Sequence, residues 1–171
     1  MTSYESFFRK IVQHYNHNTY WKKREKVINS QNRYPRLLKL WWLFQIKRSD
    51  AFSNSTTGAH INYGAKFKTP PRLPHGLYGI VISHNAVIGA NCTIFHQVTI
   101  GEGKDGAPEI GDNCVIGAGA KITGKIKIGN NVKIGTNCVV VEDVPDNATV
   151  VLNKPRIIIK QTGDDQEREQ Q

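Results

Sequence analysis

The sequence is poor in cysteine and contains no long apolar segment. Only 3 of the 171 residues are Cys, too few for the disulfide framework of a small secreted domain. Residues Met1 to Tyr15 hold no apolar stretch long enough for a signal peptide. The longest uninterrupted apolar run, Leu40 to Phe44, is far shorter than the roughly 20 residues of a transmembrane helix. We therefore expect a cytoplasmic protein in a reducing compartment.

Acidic residues are also scarce, but only in one part of the chain. Lys and Arg number 23 against 14 Asp and Glu, a net charge of +9. Residues 1–50 hold 11 basic and 3 acidic side chains, whereas residues 161–171 hold 1 and 4. Nucleic acid is not expected as a partner, because no nucleic-acid-binding module accompanies the charge.

The basic N-terminal part has a helical pattern. Residues 4–48 are predicted to form two or three helical pieces, one over 20–28 and one that starts at Pro35 and continues through Ile46. All three Trp residues lie here. Two interpretations stay open: the helices pack on the end or side of the next domain, or they contact an anionic membrane surface peripherally. Three regions are thus predicted: a basic, aromatic-rich helical segment (1–50), a repeat domain (51–160) and a disordered acidic tail (161–171).

A six-residue repeat dominates the middle of the chain. Bulky aliphatic residues recur at that interval, and a small or β-branched residue follows all of them except Ile100 four positions later. The aliphatics are Ile82, Ile88, Ile94, Ile100, Ile110, Ile116, Ile122, Ile128, Ile134 and Val140. Weaker units begin at Ile61, Phe67 and Leu73. Because six fits neither a helix nor a hairpin, the pattern predicts an all-β solenoid with the aliphatics pointing inward. Cys92, Cys114 and Cys138 occupy the small inward position, so we expect them to act as small hydrophobic residues without a catalytic or metal-binding role.

Two insertions interrupt the repeat, and the unit numbering places the histidines. Three extra residues lie around His75 to Tyr78, and four lie within residues 102–109. His75 and His96 are each the third residue of a unit, three units apart. If the coil has three faces, both lie on the same edge in adjacent coils. His84 falls on a different edge.

Several segments carry a family resemblance. The hexads, together with Val144-Pro145-Asp146-Asn147 and Lys154-Pro155-Arg156-Ile157, resemble the hexapeptide-repeat acyltransferases. Gly79-Ile80-Val81-Ile82, Val98-Thr99-Ile100-Gly101 and Ile116-Gly117-Ala118-Gly119-Ala120-Lys121 resemble the serine acetyltransferase branch. The resemblance spans about residues 61–159. It implies a left-handed parallel β-helix, a homotrimer with active sites between subunits, acetyl-coenzyme A as donor, a histidine general base and no metal.

The resemblance also implies site residues. His75 stands where the catalytic histidine of the family stands, and His96 is expected beside it as an acceptor-binding or second catalytic residue. Ala118 and Thr136 match positions along the pantetheine arm of the donor. Lys154 and Arg156 match positions near its nucleotide phosphates, where their charge suits phosphate groups.

Departures from the branch bear on the acceptor. Counting back from His75 puts His60 where serine acetyltransferases have an Asp partner, and Gly106-Ala107 replace an Arg-His pair. The short basic N-terminus looks closer to the O-acetyltransferases of colanic-acid and capsular polysaccharide biosynthesis. A hydroxyl of a sugar or polysaccharide precursor is therefore the preferred acceptor, with peripheral contact at the inner membrane face. Serine O-acetylation is the alternative, followed by a zinc-dependent hydratase of the γ-carbonic-anhydrase kind.

Overall fold

A computed structural model describes residues 15–158. The predictions for residues 4–14 and for the acidic tail lie outside this range. Helix α1 spans His17–Ile28 and helix α2 spans Arg36–Phe52. Short strands follow: β1 (Ala59–His60), β2 (Tyr63–Gly64), β3 (Lys66–Phe67), β4 (Val81–Ile82), β5 (Val87–Ile88), β6 (Thr93–Ile94), β7 (Thr99–Gly101), β8 (Glu109–Ile110), β9 (Val115–Ile116), β10 (Lys121–Thr123), β11 (Lys127–Ile128), β12 (Lys133–Ile134), β13 (Val139–Val140) and β14 (Thr149–Val150).

Strands β3 to β14 form three parallel sheets that wind around one core. The first sheet has the order β4-β7-β10-β13, the second β3-β5-β8-β11 and the third β6-β9-β12-β14. The inward aliphatics of the first sheet pair in register, Ile82 with Ile100, Ile100 with Ile122, and Ile122 with Val140. The predicted solenoid is confirmed, and its architecture matches the left-handed parallel β-helix that the resemblance implies.

The core consists of the residues that the repeat places inward. Ile94, Ile116 and Ile122 are fully buried, and the small inward positions between them are closed by residues such as Ala120 and Val132. The three cysteines are buried and free. Their thiols lie against carbonyls of the next coil, as Cys114 Sγ does at 3.1 Å from Gly129 O, in agreement with the predicted structural role.

Asparagines shape the edge between the second and third sheets, which we call the asparagine edge. Asn91, Asn113, Asn131 and Asn147 all have φ between 56° and 61°, the left-handed region that Asn tolerates better than other non-glycine residues. The side-chain amide of each donates to the side-chain oxygen of the next, at 3.3, 3.2 and 3.0 Å. The left-handed conformation of these asparagines turns the chain, and their side-chain hydrogen bonds link successive coils.

The first weak repeat unit, at Ile61, does not form a coil of the solenoid, contrary to the prediction. Ile61 is predicted to open an inward unit, but residues 59–64 form an antiparallel hairpin instead, with His60 paired to Tyr63. Asn62 adopts a left-handed conformation with φ of 66° in its turn. Ile61 consequently packs with the helical cluster rather than inside the solenoid.

Both predicted helices are present, although their limits differ. Asn16 caps α1 by accepting a bond from Thr19 N at 3.0 Å, so the helix begins three residues before Tyr20. Helix α2 begins at Arg36, one residue after the predicted start, and Pro35 is its N-cap residue, with φ of −54° and ψ of 140°. It continues past Ile46 to Phe52 and so crosses the boundary predicted at residue 50.

The helices cover the N-terminal end of the β-helix. The Trp21 ring lies 4.8 Å from that of Phe67, and the Arg24 guanidinium lies 4.6 Å over the Phe67 ring. Arg24 is buried and donates to the carbonyls of Thr57 at 2.9 Å and Ala65 at 2.6 Å. These contacts support the interpretation that helix α1 packs on the solenoid end.

A buried polar cluster joins both helices to the first coil. The Tyr20 hydroxyl donates to Asp50 Oδ1 at 2.6 Å and contacts Thr57 Oγ1 at 2.6 Å. Burial raises the pKa of Asp50 to about 6, even though the bond from Tyr20 favours the charged form.

Between residues 15 and 158, neither helix has the length and hydropathy needed to cross a membrane.

The stacked core predicts that shortening a buried aliphatic side chain destabilises the protein more than shortening an exposed one. Ile116→Ala removes a fully buried side chain from the middle of the stack and is expected to lower the free energy of unfolding by about 3 kcal/mol. Val141→Ala, at a 57% exposed position, is the matched control and should change it by less than about 0.5 kcal/mol. Urea unfolding followed by circular dichroism measures both; equal losses would contradict the assigned core.

The Asp50 cluster predicts a pH dependence of stability. The folded protein holds this proton more tightly than the unfolded chain does, since the pKa is raised from 3.8 to about 6. This raised pKa adds about 3 kcal/mol to the free energy of unfolding. The stabilisation is complete below pH 4 and is lost as the pH rises to 6. In Asp50→Asn this decline disappears. Unfolding free energies of both proteins between pH 4 and pH 7 test it, and parallel curves would refute the assignment.

Candidate active site

One edge of the β-helix gathers most of the predicted site residues. This edge, where the chain passes from the third sheet to the first, comprises residues 73–80, 95–98, 117–120 and 135–138; we call it the histidine edge. It carries His75, His96, Ala118 and Thr136 in successive coils. Their alignment follows from the parallel register of the flanking strands, in which Thr93, Val115 and Lys133 pair in one sheet and Thr99, Lys121 and Val139 in another.

The two histidines lie against each other, as their spacing predicts. The ring centroids of His75 and His96 are 4.9 Å apart, with the planes inclined at 75°. His75 is exposed and His96 is half-buried. His96 Nδ1 is itself buried and has no hydrogen-bond partner among the described residues. The pair therefore offers one accessible imidazole backed by a second that retains an unused hydrogen-bonding atom.

Backbone hydrogen bonds between coils hold this edge in place. Gln97 N donates to Tyr78 O at 2.9 Å, Gly119 N to His96 O at 3.0 Å, and Asn137 N to Ala118 O at 2.9 Å. Gln97, Gly119 and Asn137 all have positive φ, so each turns the chain at the same point of its coil. A Cβ atom at Gly119 would meet the Asn137 side-chain amide, and the φ of 71° there favours glycine.

A polar groove lies on the first sheet directly beside the histidine edge. Its volume is about 550 Å³, and its lining includes Asn54, Tyr78, Gly79, Gln97, Thr99, Gly119, Lys121, Asn137 and Val139. Among the described residues of this lining only Lys121 is charged, and its Nζ donates to Gln97 O at 2.9 Å. The ammonium group is thereby held against the backbone of the residue that follows His96. None of the groove residues was predicted from the repeat to form a binding surface for the acceptor.

The predicted phosphate-binding residues lie beyond β14. Lys154 and Arg156 are exposed in a segment that is neither helix nor strand. Strand β14 belongs to the third sheet, from which earlier coils turn at the histidine edge. The segment that carries both cations therefore leaves the β-helix near the C-terminal end of that edge. Their role toward a nucleotide stays a prediction.

His60 and His84 lie on the remaining edge, away from the His75 pair. His60 stacks on Tyr63 with ring centroids 4.6 Å apart and an interplanar angle of 3°, and it meets His84 edge-on at 5.6 Å. Burial, with smaller effects of the Lys47 and His84 charges, lowers the pKa of His60. His84 falls on a different edge, as predicted. The residue at the expected Asp position thus has aromatic partners of its own.

The second insertion forms a short closed loop on this same edge. Gly103 N donates to Gly106 O at 2.8 Å. The Glu102 carboxylate accepts bonds from Ser83 Oγ at 3.1 Å and Asn85 Nδ2 at 3.0 Å. These bonds lower the pKa of Glu102. Across residues 15–158, no group of three His, Cys, Asp or Glu side chains is arranged to hold a metal ion.

Comparison with known proteins agrees with this architecture. The bacterial transferase hexapeptide family, a model of six repeats, matches residues 107–142. The serine acetyltransferase of Staphylococcus aureus is 47% identical over 111 residues, which cover 63% of this chain and 51% of that protein. The serine acetyltransferase of Staphylococcus epidermidis shows the same identity and coverage. The chain thus spans about half the length of these curated relatives.

Solved structures give the same result. The serine acetyltransferase of Neisseria gonorrhoeae superposes with a TM-score of 0.56 at 35% identity, covering 77% of this chain and 51% of that chain. The soybean apoenzyme superposes with a TM-score of 0.57 at 32% identity, covering 91% and 58%. The chain therefore contains a hexapeptide-repeat segment and is similar to serine acetyltransferases over about half of their length.

Proposed function

We propose that the protein is an acetyl-coenzyme A-dependent O-acetyltransferase whose reaction takes place at the histidine edge. The observation that carries the proposal is the contact between His75 and His96 beside the polar groove. An alcohol is a poor nucleophile at neutral pH, and a histidine has a pKa suited to accept its proton there. The homologous acetyltransferases support the type of reaction.

His75 is the proposed general base. Its exposed imidazole takes the hydroxyl proton as the acceptor oxygen attacks the thioester carbonyl carbon. The tetrahedral intermediate then collapses: the carbon–sulfur bond breaks, the acetyl ester is released, and the coenzyme A thiolate takes the proton from His75. His96 lies against the His75 ring from the next coil, where it can orient that ring or contact the acceptor.

The donor is proposed to lie along the C-terminal part of the histidine edge. Ala118 and Thr136 have small side chains in the column that continues from His96, which leaves room for a narrow pantetheine arm. Lys154 and Arg156 are exposed near the end of this column and suit the phosphates of the nucleotide. In the family the donor groove lies between subunits, so we propose a homotrimer as the active form.

Serine is the acceptor that the comparisons favour, in place of the sugar or polysaccharide hydroxyl expected from the sequence. The supporting relatives are serine acetyltransferases at 47% identity. The Lys121 ammonium offers a cation for the acceptor carboxylate in a groove beside His96. This lysine can serve the acceptor although Gly106-Ala107 replace the Arg-His pair of the branch.

A sugar hydroxyl is the second candidate acceptor. The observation in its favour is His60, which occupies the position of the family's Asp and contacts Tyr63 and His84. If His75 works without a carboxylate partner, the site differs from that of the serine acetyltransferases, and its acceptor can differ too. Acceptor competition distinguishes the two candidates.

Loss of the general base is expected to remove activity without unfolding the protein. His75→Ala should lower the rate of thiol release from acetyl-coenzyme A at least about 100-fold, because the acceptor hydroxyl then lacks a proton acceptor. His84→Ala, on the other edge, is the matched control and should stay within about twofold. Equal rates for His75→Ala and the native protein would contradict the proposed site.

The Lys121 groove predicts a charge-specific effect on acceptor binding. Lys121→Met is expected to raise KM for serine about tenfold, in the range of one charge-assisted hydrogen bond, while KM for serinamide, which lacks the carboxylate, changes little. Lys133→Met, on the third sheet, is the control. Equal changes for both acceptors would refute the carboxylate contact, and faster turnover of simple sugars than of serine would refute the serine assignment.

A further inference from the structure

Helix α2 presents an apolar stripe to solvent. Leu37, Trp41 and Phe44 are 81%, 57% and 55% exposed, and their spacing places them on one face together with Arg48. The Trp41 and Phe44 rings stack with centroids 5.8 Å apart. Three large apolar side chains on one helix face are more than the scattered exposure of a surface that stays in water.

A groove between the two helices adjoins this stripe. It has a volume of about 410 Å³ and is lined by Trp41 and Phe44 on its apolar side and by Lys23 and Arg48 as its charged residues. Gln45 accepts a hydrogen bond from the Lys23 ammonium. Of the described residues that line the groove, none is acidic. The groove therefore combines two cations with an apolar rim.

The charge of the helical region decides between possible occupants. Residues 15–52 hold 9 basic and 2 acidic residues. A second copy of the same face would bring two strongly positive surfaces together, and like charges at an interface are costly. A surface of anionic lipid headgroups attracts the cations and accepts the apolar side chains at its hydrocarbon boundary.

We propose that the stripe of Leu37, Trp41 and Phe44, with Lys23 and Arg48 beside it, docks the protein on an anionic phospholipid bilayer. The apolar side chains enter the headgroup region, and the two cations contact lipid phosphates. This contact lies on helices α1 and α2 and uses none of the residues proposed for acetyl transfer. Its presence or absence does not depend on the acetyltransferase reaction.

Vesicle sedimentation with the full-length protein tests the proposal. The protein should bind vesicles of phosphatidylcholine with about 30% phosphatidylglycerol. It should bind pure phosphatidylcholine vesicles at least about tenfold less, and added salt should weaken binding to the anionic vesicles. Trp41→Ser/Phe44→Ser should lower binding to the anionic vesicles about tenfold or more, and so should Lys23→Gln/Arg48→Gln.

Matched control variants test whether binding depends on the stripe itself and not on any exposed apolar residue or any positive charge. Val141→Ser/Val151→Ser removes two exposed apolar residues from the β-helix, and Lys127→Gln/Lys133→Gln removes two cations there; both should bind as the native protein does. Unchanged far-ultraviolet circular dichroism and melting temperature confirm folding of each variant. The proposal is overturned if the stripe variants bind normally, if anionic vesicles bind nothing, or if light scattering shows that Trp41→Ser/Phe44→Ser dissociates an oligomer of this chain instead.

Discussion

The in-register stacking of aliphatic side chains is the constraint on which the rest of the structure depends. Each inward aliphatic lies directly over its equivalent in the next coil, as Ile94 does over Ile116, and each coil is dry only because its neighbours cover it. This stacking fixes the parallel register of all three sheets. Once the register is fixed, every outward position also forms a column, so residues far apart in sequence become neighbours along an edge.

The histidine edge is a direct result of this geometry. His75 and His96 are 21 positions apart in the sequence, yet their rings are in contact because one full coil separates them. Ala118 and Thr136 continue the same column for the same reason. A solenoid can therefore build an elongated substrate groove from single residues of successive coils, which suits a long, narrow donor such as acetyl-coenzyme A.

Much of this arrangement could be predicted from the sequence, because the repeat is long and regular. The inward residues, the structural cysteines, the His75–His96 contact and the different edge of His84 all follow from counting units. His60 and Ile61 could not be placed this way, because Asn62 turns the chain into an antiparallel hairpin before the regular coils begin. The Lys121 groove also escaped prediction, since it depends on how outward side chains from several coils lie on one sheet face.

The turns at the asparagine edge could have been predicted from the position of the asparagines in the repeat. Asn91, Asn113, Asn131 and Asn147 each stand directly before a small inward residue, at the point where a left-handed conformation turns the coil. The capping helices have no repeat to guide prediction, so the sequence left open whether they pack on the solenoid or face a membrane. The structure shows that α1 packs on the solenoid, while α2 keeps a face in solvent.

The central claim is that acetyl transfer takes place at the histidine edge. A crystal structure of the protein with coenzyme A tests it most directly. The account predicts that the coenzyme thiol lies within hydrogen-bonding distance of the His75 imidazole and that the pantetheine arm follows Ala118 and Thr136. Coenzyme A bound at the asparagine edge, or with its thiol beside His60 and His84, would contradict the account.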